Sequence, residues 1–262
     1  MAKICQLFSG SSGNSTYIGS GDGGILVDIG VSAKRMTEAL QSIGVDPASL
    51  QGIFITHEHH DHVAGLRVFA GKYHIPVFGP EGSMMALDAE GQLTDGFDAY
   101  VLDLPQIAVG DFGVSSFTTS HDTKASCGYR VALPDGRAVA VCTDLGFVSE
   151  AVRQGLDGCT AVVLESNHDI DMLKTGPYPY HLKERILSRR GHLSNEACAA
   201  ELVRLVQGGT TRVVLSHLSK ENNMPALAKR TALAALKAGG MAENKDFTLS
   251  VAPPQGGDPI LL

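Results

Sequence analysis

Residues 56–62 of this chain read THEHHDH, four imidazoles within six residues with Glu58 and Asp61 between them. Packing does not account for such a cluster. His and Asp are intermediate to poor core residues, and burying several of them together leaves polar atoms unpaired. A bound cation removes the conflict, because imidazole nitrogen and carboxylate oxygen are donors for zinc, manganese and iron.

The flanking sequence says how the cluster is held. QGIFIT, residues 51–56, is a short apolar run rich in β-branched residues, the pattern of a buried strand, and it places His57 at the strand's end. Side chains alternate along extended chain, so His57 and His59 point to one side and can share an ion. From His62 onward the apolar residues of HVAGLRVFAG recur at helical spacing, which predicts Asp61 near the N-cap and His62 in the first turn. The turn into the helix redirects those two side chains toward a second position. Two adjacent metals are therefore expected, typically about 3.5–4 Å apart in two-metal sites. Glu58 and His60 fall between the coordinating positions and are not expected to be ligands, and His74 is expected to cap or pack.

THxHxDH between a strand and a helix resembles the signature of the metallo-β-lactamase superfamily. Further positions that the family uses occur in order: His121 in SHD after GVSSFTTS, Asp144 in TDLG after RAVAVCT, and His217 in SHLS after TRVVLS. The resemblance implies an αββα sandwich, two mixed sheets face to face with helices outside. It implies that His57, His59 and His121 hold one divalent ion, that Asp61, His62 and His217 hold a second, and that Asp144 bridges both. The ions would be zinc, manganese or iron, and a water shared between them would be acidified toward neutrality and become a nucleophile. Asp61 counts among the catalytic groups as well as the ligands.

Three further segments bear on the substrate. SGSSGNS, residues 9–15, can offer Ser11, Ser12 and Asn14 to an anion or simply turn the chain. VVLESNHD ends an apolar strand on Glu165, with His168 close behind. GHLSNE, residues 191–196, carries Ser194 and Asn195, either of which can cap the following helix. Together they resemble the phosphodiesterase and nuclease side of the superfamily, most closely its YycJ/VicX-type exonuclease branch. By that resemblance His192 is the general acid and Glu165 its orienting partner, while His168, Ser194 and Asn195 line the substrate site. A carboxylate beside an imidazole favours the protonated ring, which can then donate to a departing alkoxide.

The resemblance implies a DNA end as transient substrate and cleavage in the 5′-to-3′ direction. The net charge of −7 weighs against a grip on long polyanions. Against it stand the two cations expected at the centre and Lys183, Arg185, Arg189 and Arg190 just ahead of His192. The same centre could instead hydrolyse a small molecule such as a cyclic phosphodiester, thioester or lactam. A non-catalytic regulator is a third reading, and the complete set of seven ligand positions argues against it.

The 262 residues, 44% of them hydrophobic, suffice for a single domain spanning 1–262 with one sizeable core. No apolar run reaches the roughly 20 residues of a membrane span, and MAKIC is unlike a signal peptide, so no membrane partner and a cytoplasmic location are expected. A homo-oligomer is compatible with the sequence. Five scattered cysteines with no CxxC pair read as reduced core thiols. Cys142, two residues before Asp144, is the one that could face the metals, although packing is the expected role.

Overall fold

The computed structural model describes residues 1–21 and 23–262. One seven-stranded sheet contains β1 (Lys3–Phe8), β2 (Ser15–Ser20), β3 (Gly23–Val27), β4 (Leu50–Phe54), β5 (Val77–Gly79), β6 (Ala99–Val101) and the short C-terminal β14 (Ile260–Leu261), in the order β14-β1-β2-β3-β4-β5-β6. The other contains β7 (Ile107–Val109), β8 (Phe112–Thr118), β9 (Cys127–Ala132), β10 (Ala138–Cys142), β11 (Ala161–Glu165), β12 (Arg212–Ser216) and β13 (Thr248–Val251), in the order β13-β12-β11-β10-β9-β8-β7. Both sheets are mixed. Pairing is antiparallel from β14 to β3 and parallel from β3 to β6; it is antiparallel from β7 to β10 and parallel from β10 to β13.

Alternation along the strands builds three apolar layers. In β11, Ala161 and Val163 join the core between the sheets, while Val162 and Leu164 turn to the helices outside. Phe54 likewise faces the other sheet, and its neighbours Ile53 and Ile55 face α1 (Ala33–Ser42) and α3 (Leu66–Tyr73). Such strands are buried on both faces, which is why they read as continuous apolar runs. The second sheet is covered by α5 (Glu150–Leu156), α8 (Asn195–Gln207) and α9 (Pro225–Ala238). The sandwich is the expected αββα arrangement.

The two sheets are tied together where the ligand candidates emerge. Tyr129, fully buried on β9, donates its hydroxyl to the Ile55 carbonyl at 2.6 Å, and the Cys127 amide donates to the Thr56 carbonyl at 3.1 Å. The end of β4 is thus fixed against the second sheet one residue before His57.

Where the spacing predicts one helix from His62, the structure has two. A single turn, α2 (His60–Val63), starts after His59 as N-cap, and α3 follows from Leu66. The break comes from close backbone packing at Gly65, where a Cβ would lie 2.1 Å from the Val31 carbonyl oxygen. Asp61 therefore sits inside the first turn and not at its cap. β7, β13, β14 and α6 (Ile170–Thr175) have no counterpart among the expected elements, and all of them are short.

Candidate metal and catalytic centre

Every candidate ligand leaves the sandwich at the same edge. His57 and His59 follow β4, Asp61 and His62 lie in α2, His121 follows β8, Asp144 follows β10 and His217 follows β12. Donor atoms within 4.8 Å of one another form the groups His57, His59 and His121; Asp61, His62 and His217; His57, His62 and Asp144; and Asp144, Glu165, His192 and His217. The first two are the two ligand triads expected from the sequence, and Asp144 faces the second triad and His57.

Three residues reach the cluster through an unusual backbone. Asp28, Asp144 and His217 have φ of 63°, 57° and 56°, the left-handed region that Asp and His adopt more readily than other non-glycine residues. Each comes one or two residues after a strand end, and the reversal swings its side chain over the sheet edge. Strain of this kind persists only where the surroundings over-determine it. Here they do: Ser9 Oγ accepts from the His217 amide at 2.8 Å, and the Asp28 amide donates to the Phe54 carbonyl at 2.9 Å.

Hydrogen bonds fix the rings so that one nitrogen is left for a cation. His62 Nδ1 donates to Asp28 at 2.7 Å, His217 Nδ1 to Glu165 at 2.7 Å and His121 Nδ1 to the Gly191 carbonyl at 3.1 Å. His57 Nδ1 donates to Thr56 Oγ1 at 3.0 Å, whose own hydroxyl donates to Asp28 at 2.9 Å. In all four rings Nε2 is the nitrogen left to face a cation, once any proton it carries is displaced. A partner on the far nitrogen is the usual support for a metal-binding histidine.

The protonation states divide the donor set. Burial, followed by the neighbouring His62, holds His57 well below its ordinary pKa, and burial also lowers His121, so both rings are neutral. Burial acts against ionisation of Asp61 and Asp144. His217 and His62 outweigh it and keep both carboxyls below the usual range. His217 itself, despite its burial, is raised to about 10 by Asp144, Asp61 and Glu165. Taken by themselves these side chains neutralise one another, so a cation entering the second triad displaces protons and binds more weakly as pH falls.

The donor set fits divalent ions. Among the described residues, His57 Nε2 and His217 Nε2 are buried without any hydrogen-bond partner. Unpaired polar atoms that converge at one sheet edge are a costly arrangement unless an ion satisfies them.

Asp28, absent from the residues expected above, closes the apolar run GGILV just as Glu165 closes its own. It accepts from the Thr56 amide at 2.8 Å as well as from Thr56 Oγ1 and His62, so it orients two candidate ligands. Replacing Asp28 with Asn should weaken metal affinity by about 10–100-fold, the usual effect of losing such a partner. Titration with a competing chelator measures it, and unchanged affinity would show that Asp28 serves the fold alone.

His192 and Glu165 form a second unit. His192 Nδ1 donates to Glu165 Oε1 at 2.9 Å, the same oxygen that accepts from His217, while Glu165 Oε2 accepts from the amides of Leu193 at 2.9 Å and Leu145 at 3.2 Å. Burial opposes ionisation of this fully buried carboxyl, but His192 and His217 lower it to about 2. Its charge in turn outweighs the burial of His192 and raises that ring above the ordinary value. The His192 ring lies between those of His121 and His217, with centroids at 5.0 and 5.3 Å.

The expected substrate residues divide. Ser11 and Ser12 are exposed on a turn closed by the Gly13 amide on the Gly10 carbonyl at 3.0 Å. Asn14 is buried at the metal cluster, its Nδ2 lying 3.3 Å from Asp61 Oδ2 and 3.1 Å from His62 Nε2. Its neighbour in space, Gly30, has no room for a side chain, since a Cβ would meet the Asp61 carbonyl oxygen at 1.8 Å. Ser194 caps α8 through the Ala197 amide at 3.2 Å. Asn195 is buried and engaged by Ser166 and Asn223, in place of the expected substrate contact. His168 is also buried, and among the described residues neither ring nitrogen has a partner. Cys142 packs in the core beneath the helices, its thiol pushed well above its ordinary value by burial first and by Glu165 and Asp144 next. It belongs to none of the donor groups, and all five cysteines are buried and unpaired.

The sequence profile of the metallo-beta-lactamase superfamily matches residues 9–217, from the loop after β1 to the His after β12. The chain belongs to the metallo-β-lactamase superfamily. Within it, the exodeoxyribonuclease WalJ of Streptococcus pneumoniae is 35% identical over 261 residues, covering 98% of this chain and 97% of its own. The exodeoxyribonuclease YycJ of Bacillus anthracis is 35% identical over 252 residues, covering 95% and 94%. The metallo-β-lactamase fold protein YhfI from Bacillus subtilis superposes with a TM-score of 0.72 at 15% identity, covering 99% of this chain and 98% of that one. At that identity the likeness speaks for the fold. The metallo-β-lactamase sandwich and its His/Asp clusters make this a divalent-metal hydrolase domain. Among the described residues no helix is long and apolar enough to cross a membrane.

Proposed function

We propose that this chain is a metal-dependent exodeoxyribonuclease that hydrolyses phosphodiester bonds from a DNA end in the 5′-to-3′ direction. The observation that carries this reading is the His192–Glu165 pair, set between His121 and His217 and held by a buried carboxylate. Full-length similarity to two exodeoxyribonucleases supports it.

Two divalent ions, zinc, manganese or iron, would be held by His57, His59 and His121 on one side and by Asp61, His62 and His217 on the other, with Asp144 shared. When bound, such ions acidify a water and offset charge on the phosphate. The remaining work falls to the protein. His192, charged through Glu165, donates its proton to the sugar oxygen as the ester bond breaks. An alkoxide is a poor leaving group, so proton donation matters for this substrate. Glu165 keeps the ring charged and aimed, and by gripping His217 with the same oxygen it fixes the acid relative to the second triad.

The test is degradation of 5′-labelled single- and double-stranded DNA, with RNA in parallel, in added zinc or manganese. Early release of labelled nucleotide from DNA, abolished by a chelator and restored by metal, is the expected result. Undiminished activity after complete metal removal, or hydrolysis of small esters with no attack on DNA, would overturn the reading.

A further inference from the structure

Four cations precede His192, and the structure gives them different tasks. Lys183 donates to the carbonyls of Lys174 and Gly176 at 2.8 and 2.7 Å, and Arg185 pairs with both oxygens of Asp122 at 2.5 and 3.0 Å. Those two hold the chain together. Arg189 and Arg190 are exposed, and among the described residues neither pairs with a carboxylate, in a chain of net charge −7. Both are nevertheless anchored. The Arg189 guanidinium lies 3.9 Å from the centre of the Phe147 ring, and Arg190 Nε donates to the His121 carbonyl at 3.4 Å.

These residues sit on three loops that are stitched into one rim. Ser120 Oγ donates to the Arg189 carbonyl at 2.6 Å, the Gly146 amide donates to the Ser120 carbonyl at 2.9 Å, and His121 Nδ1 donates to the Gly191 carbonyl. A Cβ on Gly146 would lie 2.3 Å from the Arg189 carbonyl carbon, so the loops touch backbone to backbone. Each loop also carries a residue of the centre: Asp144 precedes Phe147 by three, His121 follows Ser120, and His192 follows Arg190 by two. The cations are thus held beside the candidate general acid.

We propose that this rim is a nucleotide-binding subsite next to the cleaved bond, with Arg190 contacting a flanking phosphate and the Phe147–Arg189 pair forming a platform on which a base stacks. An unpaired guanidinium matches a phosphate, and a half-buried aromatic ring crossed by an Arg offers the flat cationic surface that single strands use. The inference rests on the exonuclease reading and gives that site a preference for polynucleotide over small diesters.

The measurement is kcat/KM for single-stranded DNA at several salt concentrations, set against hydrolysis of bis(p-nitrophenyl) phosphate by the same metal-loaded preparations. For Arg190→Ala the ratio of DNA to small-diester turnover should fall about tenfold, and the slope of log kcat/KM against log salt should flatten by about 0.7, as expected for one lost phosphate contact on a single strand. Arg190→Lys should recover much of the loss. Phe147→Ala should lower the same ratio about tenfold with little change in salt slope, and Phe147→Tyr should restore it. Wild-type ratios and slopes in Arg190→Ala and Phe147→Ala would overturn the subsite while leaving the exonuclease standing, as would equal losses on both substrates. A wild-type protein that spares DNA would remove the exonuclease reading and this inference with it.

Discussion

Asp144→Asn should lower kcat/KM on DNA by about 10³-fold or more, since the neutral amide removes the charge expected to be shared by both ions, a contribution of several kcal/mol. Asn is the informative choice. Residue 144 has φ of 57°, which Asn tolerates at least as well as Asp, so the backbone reversal survives and the chemistry alone is removed. Asp144→Ala would combine the lost ligand with left-handed strain and confuse the two. The Asp144 carboxylate also lies 3.2 Å from His62 Nε2 and 3.5 Å from His217 Nδ1, so Asn should release part of the bound metal. Steady-state kinetics with excess metal, alongside metal content after dialysis, separates loss of affinity from loss of turnover. A variant that keeps wild-type kcat/KM at wild-type metal content would show that Asp144 is not shared by the ions.

His192→Ala should act selectively. On DNA the loss should be about 10²–10⁴-fold in kcat, the usual contribution of a general acid. On a thymidine phosphodiester whose leaving group is p-nitrophenolate, the loss should be within about threefold, because that anion departs without a proton. The contrast follows from the placement of His192, whose ring is held by Glu165 at 2.9 Å and belongs to neither ligand triad. The pH profile carries the same information. A general acid must be protonated, and Glu165 raises His192 against the effect of burial, so wild-type activity on DNA should fall as pH rises through that elevated pKa. In His192→Ala this alkaline fall should vanish. Equal losses on both substrates would make His192 a structural residue, and no loss on either would favour a small-molecule hydrolase that needs no proton donor.

What the sequence made legible, and what it hid, divides along physical lines. THEHHDH stood out because so many metal-donor side chains have no other use at the end of an apolar strand. Glu165 stood out for a related reason, as a carboxylate closing VVL. Asp28 gives that same signal after GGILV but has no imidazole beside it in sequence. Its partner, His62, is 34 positions away and meets it only when β3 and β4 pair. The backbone reversals at Asp28, Asp144 and His217 had no local signature, since they are imposed by packing and not by glycine. The resemblance carried by GHLSN implies a substrate role for Asn195, whereas its burial depends on Asn223 from the loop before α9. The break at Gly65 likewise depends on Val31, which arrives from another element. Strong periodicity located α8, α9 and β11 to within a residue or so, while β7 and β14 are too short to carry a pattern.

The centre itself is tested most directly by anomalous diffraction from crystals of the active, metal-loaded protein, recorded at the absorption edge of the bound metal. Two peaks per chain are expected, one within bonding distance of His57, His59 and His121, the other of Asp61, His62 and His217, and Asp144 reaching both. A single peak in fully active protein, or peaks away from these residues, would contradict that arrangement.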